Sequence, residues 1–258
     1  MKLGKYTVNF YESVAERAEE ASEIILSIFL NLFTVNSVKD VGCGNGIWLR
    51  ETLKWEMLSK RFGYDLRSAL DSSKDFDNRD IVFKSIDLEL SEYDLVPTDL
   101  TFCLEVAEHI SKTAATRLVS KICATSNYVI FSAATPGQGG FNHINENALE
   151  YWISLFEENG FRSFDVFRPA LSASSKIPLF YRNNVFLFIK SREYNGIETL
   201  LNESFSANYE VFSNSKVHDY RRKIQIFQAY LVSKMNFRIV NILSVIKYYL
   251  KIALKQNR

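Results

Sequence analysis

Three glycines at alternate positions, Gly42, Gly44 and Gly46, follow Asp40 and precede an apolar run in Lys39-Asp40-Val41-Gly42-Cys43-Gly44-Asn45-Gly46-Ile47-Trp48-Leu49. Lacking a Cβ, such residues let the backbone take positive φ and let a ligand lie directly on the main chain. N–H groups freed at the start of a following helix favour a carboxylate or another anion. The chemistry predicted is that of a nucleotide-type pocket. Asp65 follows about twenty residues later, where a carboxylate at a strand end accepts both hydroxyls of a ribose; its alternative is a solvated turn aspartate. Imidazole, with an ordinary pKa near 6.5, can take a proton from a hydroxyl. His143, in a glycine-rich loop, is the first candidate for that base and His109 the second, although a lone loop histidine is otherwise a surface residue. The three histidines are scattered, and the expected metal content is none, with Asp, Glu and His near the loop leaving a site open.

These residues need elements to hold them. Val38 and Val41 lead into the glycines as a strand, and Leu49, Leu53 and Trp55 continue as a helix reaching Leu58. Before them, Phe10, Val14, Ala18, Ala21, Ile25, Ile28 and Phe29 recur at helical spacing and predict a helix over 9–34. Strands are expected over 61–65, 81–88, 99–104 and 127–134, with Asp65 and Asp87 closing the first two, and a helix over 113–122. Residues 135–147 are too rich in glycine and polar side chains for regular structure. In an open parallel sheet, ligands sit outside the C-terminal ends of the strands, which puts this loop at the reaction face. Residues 150–156 form an amphipathic helix ended by Asn159-Gly160. Two more strands follow at 161–167 and 184–189, and between them 168–182 reads as a loop able to wall the substrate pocket.

A chain of 258 residues, 47% apolar, can bury one sizeable core and an appendage. Its formal net charge of +1 gives no overall bias toward nucleic acid or membrane. Cys43, Cys103 and Cys123 are odd in number and lack CxxC spacing, which predicts reduced thiols and a cytosolic compartment. The first residues have neither a signal-peptide core nor transit-peptide character. From Arg221 onward nine Lys and Arg residues occur without one Asp or Glu, among apolar residues at helical spacing. Two basic helices are expected there, with no run long and uncharged enough to span a bilayer. They suit a peripheral contact with an anionic inner-membrane surface, a homodimerisation arm, or plain packing on the core. No nucleic-acid module is expected.

The block Asp40-Val41-Gly42-Cys43-Gly44-Asn45-Gly46 resembles the first motif of class I S-adenosylmethionine (SAM)-dependent methyltransferases. Glu105-Val106-Ala107-Glu108-His109 resembles the fourth-strand motif of a subgroup carrying EVAEH, and Pro136-Gly137-Gln138-Gly139-Gly140 with His143 and Asn145 resembles a PGQGGxxHxN signature found in surface-polysaccharide and small-molecule biosynthesis. The resemblance covers about three quarters of the chain and ends near Lys190. It implies a Rossmann-like, seven-stranded α/β sheet over 36–190 with helices on both faces and its last strand antiparallel. Residues 1–35 would be a helical cap, whose Tyr6 and Tyr11 either touch the ligand or pack, and 191–258 a helical extension.

It further implies SAM as cofactor, with Asp40, Gly42, Gly44 and Gly46 around its amino acid portion and Asp65 on the ribose. Asp87 and the neighbouring Leu88 backbone would take the adenine, Asp87 being otherwise a turn cap, and Glu105 would lie beside the methionine portion. Glu108, at a helix start, is near the methyl group or purely structural. Gln138, Asn145, Tyr151 and Trp152 are implied in acceptor binding. The activity implied is methyl transfer to a hydroxyl, or phosphate-type oxygen, of a sugar in bacterial cell-surface polysaccharide biosynthesis. Its rivals are N- or O-methylation of a small metabolite and a non-catalytic SAM-binding scaffold subunit.

Overall fold

A computed structural model describes residues 8–68 and 80–193, and of residues 8–17 the backbone alone. The readings made for Tyr6, the side chain of Tyr11 and the basic helices from Arg221 onward lie outside the described residues.

α1 (Val8–Leu32) runs close to its expected span, with Ala18, Ala21, Ile25, Leu26 and Phe29 on its buried face. β1 (Ser37–Val41) is buried along its whole length, as a central parallel strand must be. The helix after the glycines is shorter than its pattern predicts. α2 (Ile47–Glu51) passes into one 3₁₀ turn, Thr52–Lys54, and Trp55 is already extended, so the helix does not reach Leu58. Thr52 Oγ1 bonds back to Leu49 O at 2.6 Å and accepts Arg61 Nε at 2.9 Å, tying the helix end to the next strand.

β2 (Lys60–Asp65), β4 (Thr98–Leu104) and β5 (Ser126–Ser132) fall close to where expected, while β3 (Ile81–Ser85) ends before Asp87, its expected closing residue; α3 (Lys112–Ala124) precedes β5, and α4 (Leu149–Glu158) follows it. β6 (Phe161–Phe164) and β7 (Phe186–Lys190) complete a seven-stranded sheet in the order β3-β2-β1-β4-β5-β7-β6. β1 to β5 are parallel, and β7 inserts antiparallel between β5 and β6. This is the mixed Rossmann-like sheet expected. The segment expected as a loop contains α5 (Arg168–Leu171) and α6 (Leu179–Asn184). Leu171, Ile177 and Tyr181 are buried with α1 and Trp48, so this stretch helps to close the core.

The sheet has two apolar faces. α1, α2 and residues 166–181 cover one, while α3 and α4 cover the other through Leu118, Ile122, Trp152 and Phe156. Lys39, in the middle of β1, is fully buried beneath this layer. Its Nζ reaches the Val96 and Thr125 carbonyls and the hydroxyls of Thr98, Thr125 and Ser126 at 2.8–3.2 Å, a polar knot at the N-terminal end of the strands. Burial lowers its pKa to about 7. The opposite, C-terminal end gathers the glycine turn and the acidic strand ends.

Candidate active site

β1 and β4 are neighbours whose outgoing connections run to opposite sides, the switch point at which open α/β sheets bind ligands. Gly42, Gly44 and Gly46 leave β1 with φ of 81°, 53° and 72°, a conformation costly to residues with a Cβ. A Cβ on Gly42 would stand 2.3 Å from Val106 Cγ2, so the glycine lets the turn after β1 close on the turn after β4. Within the turn itself several amides are bonded internally. Gly42 and Cys43 donate to Tyr64 O at 2.7 and 3.1 Å, Gly44 to Asp65 Oδ2 at 2.7 Å, and Gly46 to Cys43 O at 2.7 Å. The turn therefore offers close main-chain approach more than spare donors.

Asp65 closes β2 and accepts from the amides of Gly44 and Leu66 at 2.7 Å each. Burial raises its pKa to about 6 against those two bonds. Asp40 is almost fully buried in β1, and its Oδ2 has no hydrogen-bond partner among the described residues. Burial, and then the charge of Asp65, push its pKa well up. Asp87 lies two residues past the end of β3, and its Oδ1 accepts from Glu89 N at 3.0 Å. Its side chain thus performs the capping role, while the buried Leu88 side chain belongs to the α3 face of the core.

β4 ends at Leu104, and Glu105 takes a left-handed φ of 56°, rare for a residue with a side chain. Its amide donates to Ser132 O and Oγ at 3.0 and 3.1 Å, which fixes this turn against the end of β5. Ala107–His109 follows as one 3₁₀ turn. Glu105 Oε2 accepts from Gln138 Nε2 at 3.1 Å, and the buried carboxyl also meets the Ser132 hydroxyl and the Glu108 carboxyl. Glu108 is fully buried, its carboxyl set against that of Glu105 and the Ala134 backbone amide. Burial, followed by the nearby Glu105, pushes the Glu108 carboxyl well above its usual range. Burial lowers His109 to about 4, with His143 acting in the same direction.

The 135–147 loop is ordered by one residue that the sequence patterns did not single out. Glu146 Oε2 accepts from Gly137 N at 2.8 Å, and its Oε1 accepts from Gly139 N at 2.9 Å and pairs with His143 Nδ1 at 2.9 Å. Partial burial raises the Glu146 carboxyl, but the His143 and amide bonds outweigh it and leave the pKa lowered. His143 lies against Gly140, where a Cβ would come within 2.3 Å of its Nε2. The loop is pinned to the Ala107–His109 turn: Ile144 and Asn145 amides donate to Glu108 O at 2.9 and 3.1 Å, and Asn145 Nδ2 to Ala107 O at 3.0 Å. As a result, His109 and His143 meet edge to face with centroids 4.9 Å apart. Histidines scattered in sequence are thus brought together with Glu108, against the expectation that no metal-ligand set assembles.

Four residues expected at the acceptor take different places. Trp152 is 1% exposed and packs on Phe131 in the core, so it presents no ligand surface. Tyr151 faces α3, its ring under Lys112 Nζ and its hydroxyl 3.3 Å from Thr116 Oγ1. The Asn145 amide group is consumed by Ala107 and Asn147. Gln138 does lie at the site, but as a bridge: Nε2 donates to Glu105 and Oε1 accepts from Asn184 Nδ2 at 2.8 Å. Tyr181, from the stretch read as a loop, and Asn184, read as the start of a strand but found at the end of α6, therefore belong to the site's surroundings.

No protein-family model matches the chain, and no curated protein matches its sequence. Solved structures do match the fold. Human N-acetylserotonin methyltransferase in complex with SAM aligns over 71% of this chain and 55% of its own, at 16% identity and a TM-score of 0.54. An O-methyltransferase family protein from Burkholderia thailandensis aligns over 72% and 61%, at 10% identity and TM-score 0.54. The O-methyltransferase family 2 protein of Planctomyces limnophilus, in complex with apigenin, aligns over 74% and 64%, at 14% identity and TM-score 0.53. The chain thus spans less than two thirds of the length of each of these proteins, and what it shares with them is the class I methyltransferase fold.

Proposed function

We propose that the protein is a SAM-dependent methyltransferase acting on a hydroxyl oxygen. The observations that support this reading are the glycine turn at the β1/β4 switch point, whose Gly42 closes on Val106, and the Glu146-held imidazole of His143, which meets His109 three residues beyond Val106. The residues fit the cofactor. Asp65 would hold the ribose with the lone pairs its amide bonds leave, and the unpartnered Oδ2 of Asp40, together with the Glu105 carboxyl, would take the ammonium end. Asp87 and the Leu88 backbone would lie toward the adenine. When bound, SAM supplies a methyl group made electrophilic by its sulfonium.

The chain's own work is then positioning and proton removal. Glu146 fixes the tautomer of His143: with Nδ1–H donated to the carboxylate, Nε2 carries the lone pair that takes the acceptor proton. Gln138, braced by Asn184 and Glu105, and the exposed Phe141 and Ile144 line the approach. The acceptor we infer is a sugar hydroxyl, on the strength of the Gly-Gln-Gly-Gly loop pattern. A small aromatic hydroxyl is the second reading, favoured by the apigenin named in the Planctomyces complex.

Calorimetric titration of SAM and S-adenosylhomocysteine into wild type and Asp65→Ala tests the cofactor. Micromolar binding, roughly −8 kcal/mol, should weaken at least tenfold in the variant. A folded wild type that binds neither ligand overturns the reading. Incubation with methyl-labelled SAM and a panel of glycans and phenolic acceptors then separates the two acceptor classes.

A further inference from the structure

We propose that Glu108, His109 and His143 form a site for a divalent transition-metal ion that activates the acceptor hydroxyl. One ligand atom from each residue lies within 4.8 Å of the other two. Donors on an ion at about 2.0–2.2 Å stand about 3–3.5 Å apart, so small side-chain rotations bring these three to bonding distance.

Four features make this more than proximity. Glu108 is fully buried beside the two histidines, and an ionised carboxylate there is costly without a cation to neutralise it. The histidines have outer partners of the kind that orient metal ligands: Glu146 holds Nδ1 of His143, and the Phe141 and Asn142 backbone bonds the His109 imidazole. The 3₁₀ turn and the loop that carry the ligands are stapled by the bonds from Ile144 and Asn145 to Glu108 O and Ala107 O. Finally, the Glu105 carboxyl meets that of Glu108, so two buried carboxyls are concentrated at the cluster.

Two imidazoles with a carboxylate select first-row ions from Mn²⁺ to Zn²⁺, since Mg²⁺ and Ca²⁺ prefer oxygen alone. Three protein ligands leave a coordination position for the acceptor oxygen, as in catalytic rather than structural sites. The inference rests on the methyl-transfer reading and changes how His143 acts within it. Without the ion His143 is the base; with it, His143 is a ligand and the metal acidifies the hydroxyl, whose proton leaves to solvent. The oxygen lone pair then forms the O–CH₃ bond as the S–CH₃ bond electrons return to sulfur.

The test titrates EDTA-stripped full-length protein with Co²⁺, followed by its visible absorption, and with Mn²⁺, followed by EPR. Wild type should bind about one equivalent of each, and Glu146→Gln should weaken binding about tenfold through His143 alone. Glu108→Gln and His109→Ala/His143→Ala should bind weakly or not at all while still binding S-adenosylhomocysteine, which reports folding. Asp65→Ala should keep the metal and lose S-adenosylhomocysteine. Wild type that binds S-adenosylhomocysteine but no metal overturns the site and leaves the methyl-transfer reading standing. Undiminished metal binding in the double variant also overturns it, because the ion would then lie elsewhere.

Discussion

The close approach of Gly42 to Val106 sets the floor of the cleft, and Gly42→Ala tests whether it matters as argued. Two costs are predicted. At φ of 81° an alanine Cβ meets its own backbone, which costs about 1–2 kcal/mol. The same Cβ would stand 2.3 Å from Val106 Cγ2 and 2.9 Å from Cγ1, so no rotation of this β-branched side chain removes the overlap, and overpacking of this kind costs about 1–3 kcal/mol. The total, about 2–5 kcal/mol, should be read by urea denaturation of wild type, Gly42→Ala, Val106→Ala and the double variant. Val106→Ala removes both clashing methyls, so the double variant should recover the second cost and not the first, giving a favourable coupling of about 1–3 kcal/mol. Cofactor affinity should fall in Gly42→Ala, because separating the two turns widens the cleft. Additivity within about 0.5 kcal/mol would refute the claim that these two residues set the cleft's floor.

Further outcomes follow from the same geometry. His109 has its folded pKa lowered to about 4 from the ordinary 6.5, so between these values the unfolded chain binds more protons than the folded one. Stability from this residue should therefore be complete above about pH 6.5 and decline as pH falls toward 4, by up to about 2–3 kcal/mol; urea midpoints across that range should flatten in His109→Gln, and an unchanged slope would contradict the burial argument. Trp152→Ala should cost about 3–5 kcal/mol of stability, while Trp152→Phe leaves the acceptor KM unchanged, as a core residue's should. A large KM change in a stable Trp152→Phe would restore Trp152 to the acceptor site.

The sheet was legible because the parallel strands carry short runs of β-branched or aromatic residues, with Asp65 closing β2 as its position implied. The misreadings have local causes. Leu53 and Trp55 continue the helical spacing, but Thr52 turns its hydroxyl back onto the chain and Arg61 captures it, ending α2 early. Residues 168–182 carry the serine and proline of a loop, and only contact with α1 and Trp48 shows that Leu171, Ile177 and Tyr181 are core. Trp152 was the avoidable error. Trp152, Leu155 and Phe156 sit at i, i+3 and i+4, a spacing that already placed the tryptophan on the buried face of α4.

The site was half legible for a different reason. Carboxylates at strand ends are fixed by the strands themselves, so Asp65 could be placed from spacing, whereas a loop side chain is fixed by whatever polar groups the loop must satisfy. A signal for Glu146 was nonetheless present. A turn such as Gly137-Gln138-Gly139-Gly140 exposes several amides, and its one side-chain acceptor, Gln138 Oε1, is taken by Asn184, so it calls for another acceptor nearby. The first carboxylate downstream, three residues after His143, is the one that answers. That bond decides which nitrogen of His143 faces the chemistry, and it holds equally whether the nitrogen takes a proton or a metal. The meeting of His143 with Glu108 and His109 had no such local signal, because it depends on the Glu108 carbonyl accepting two amides from a distant loop.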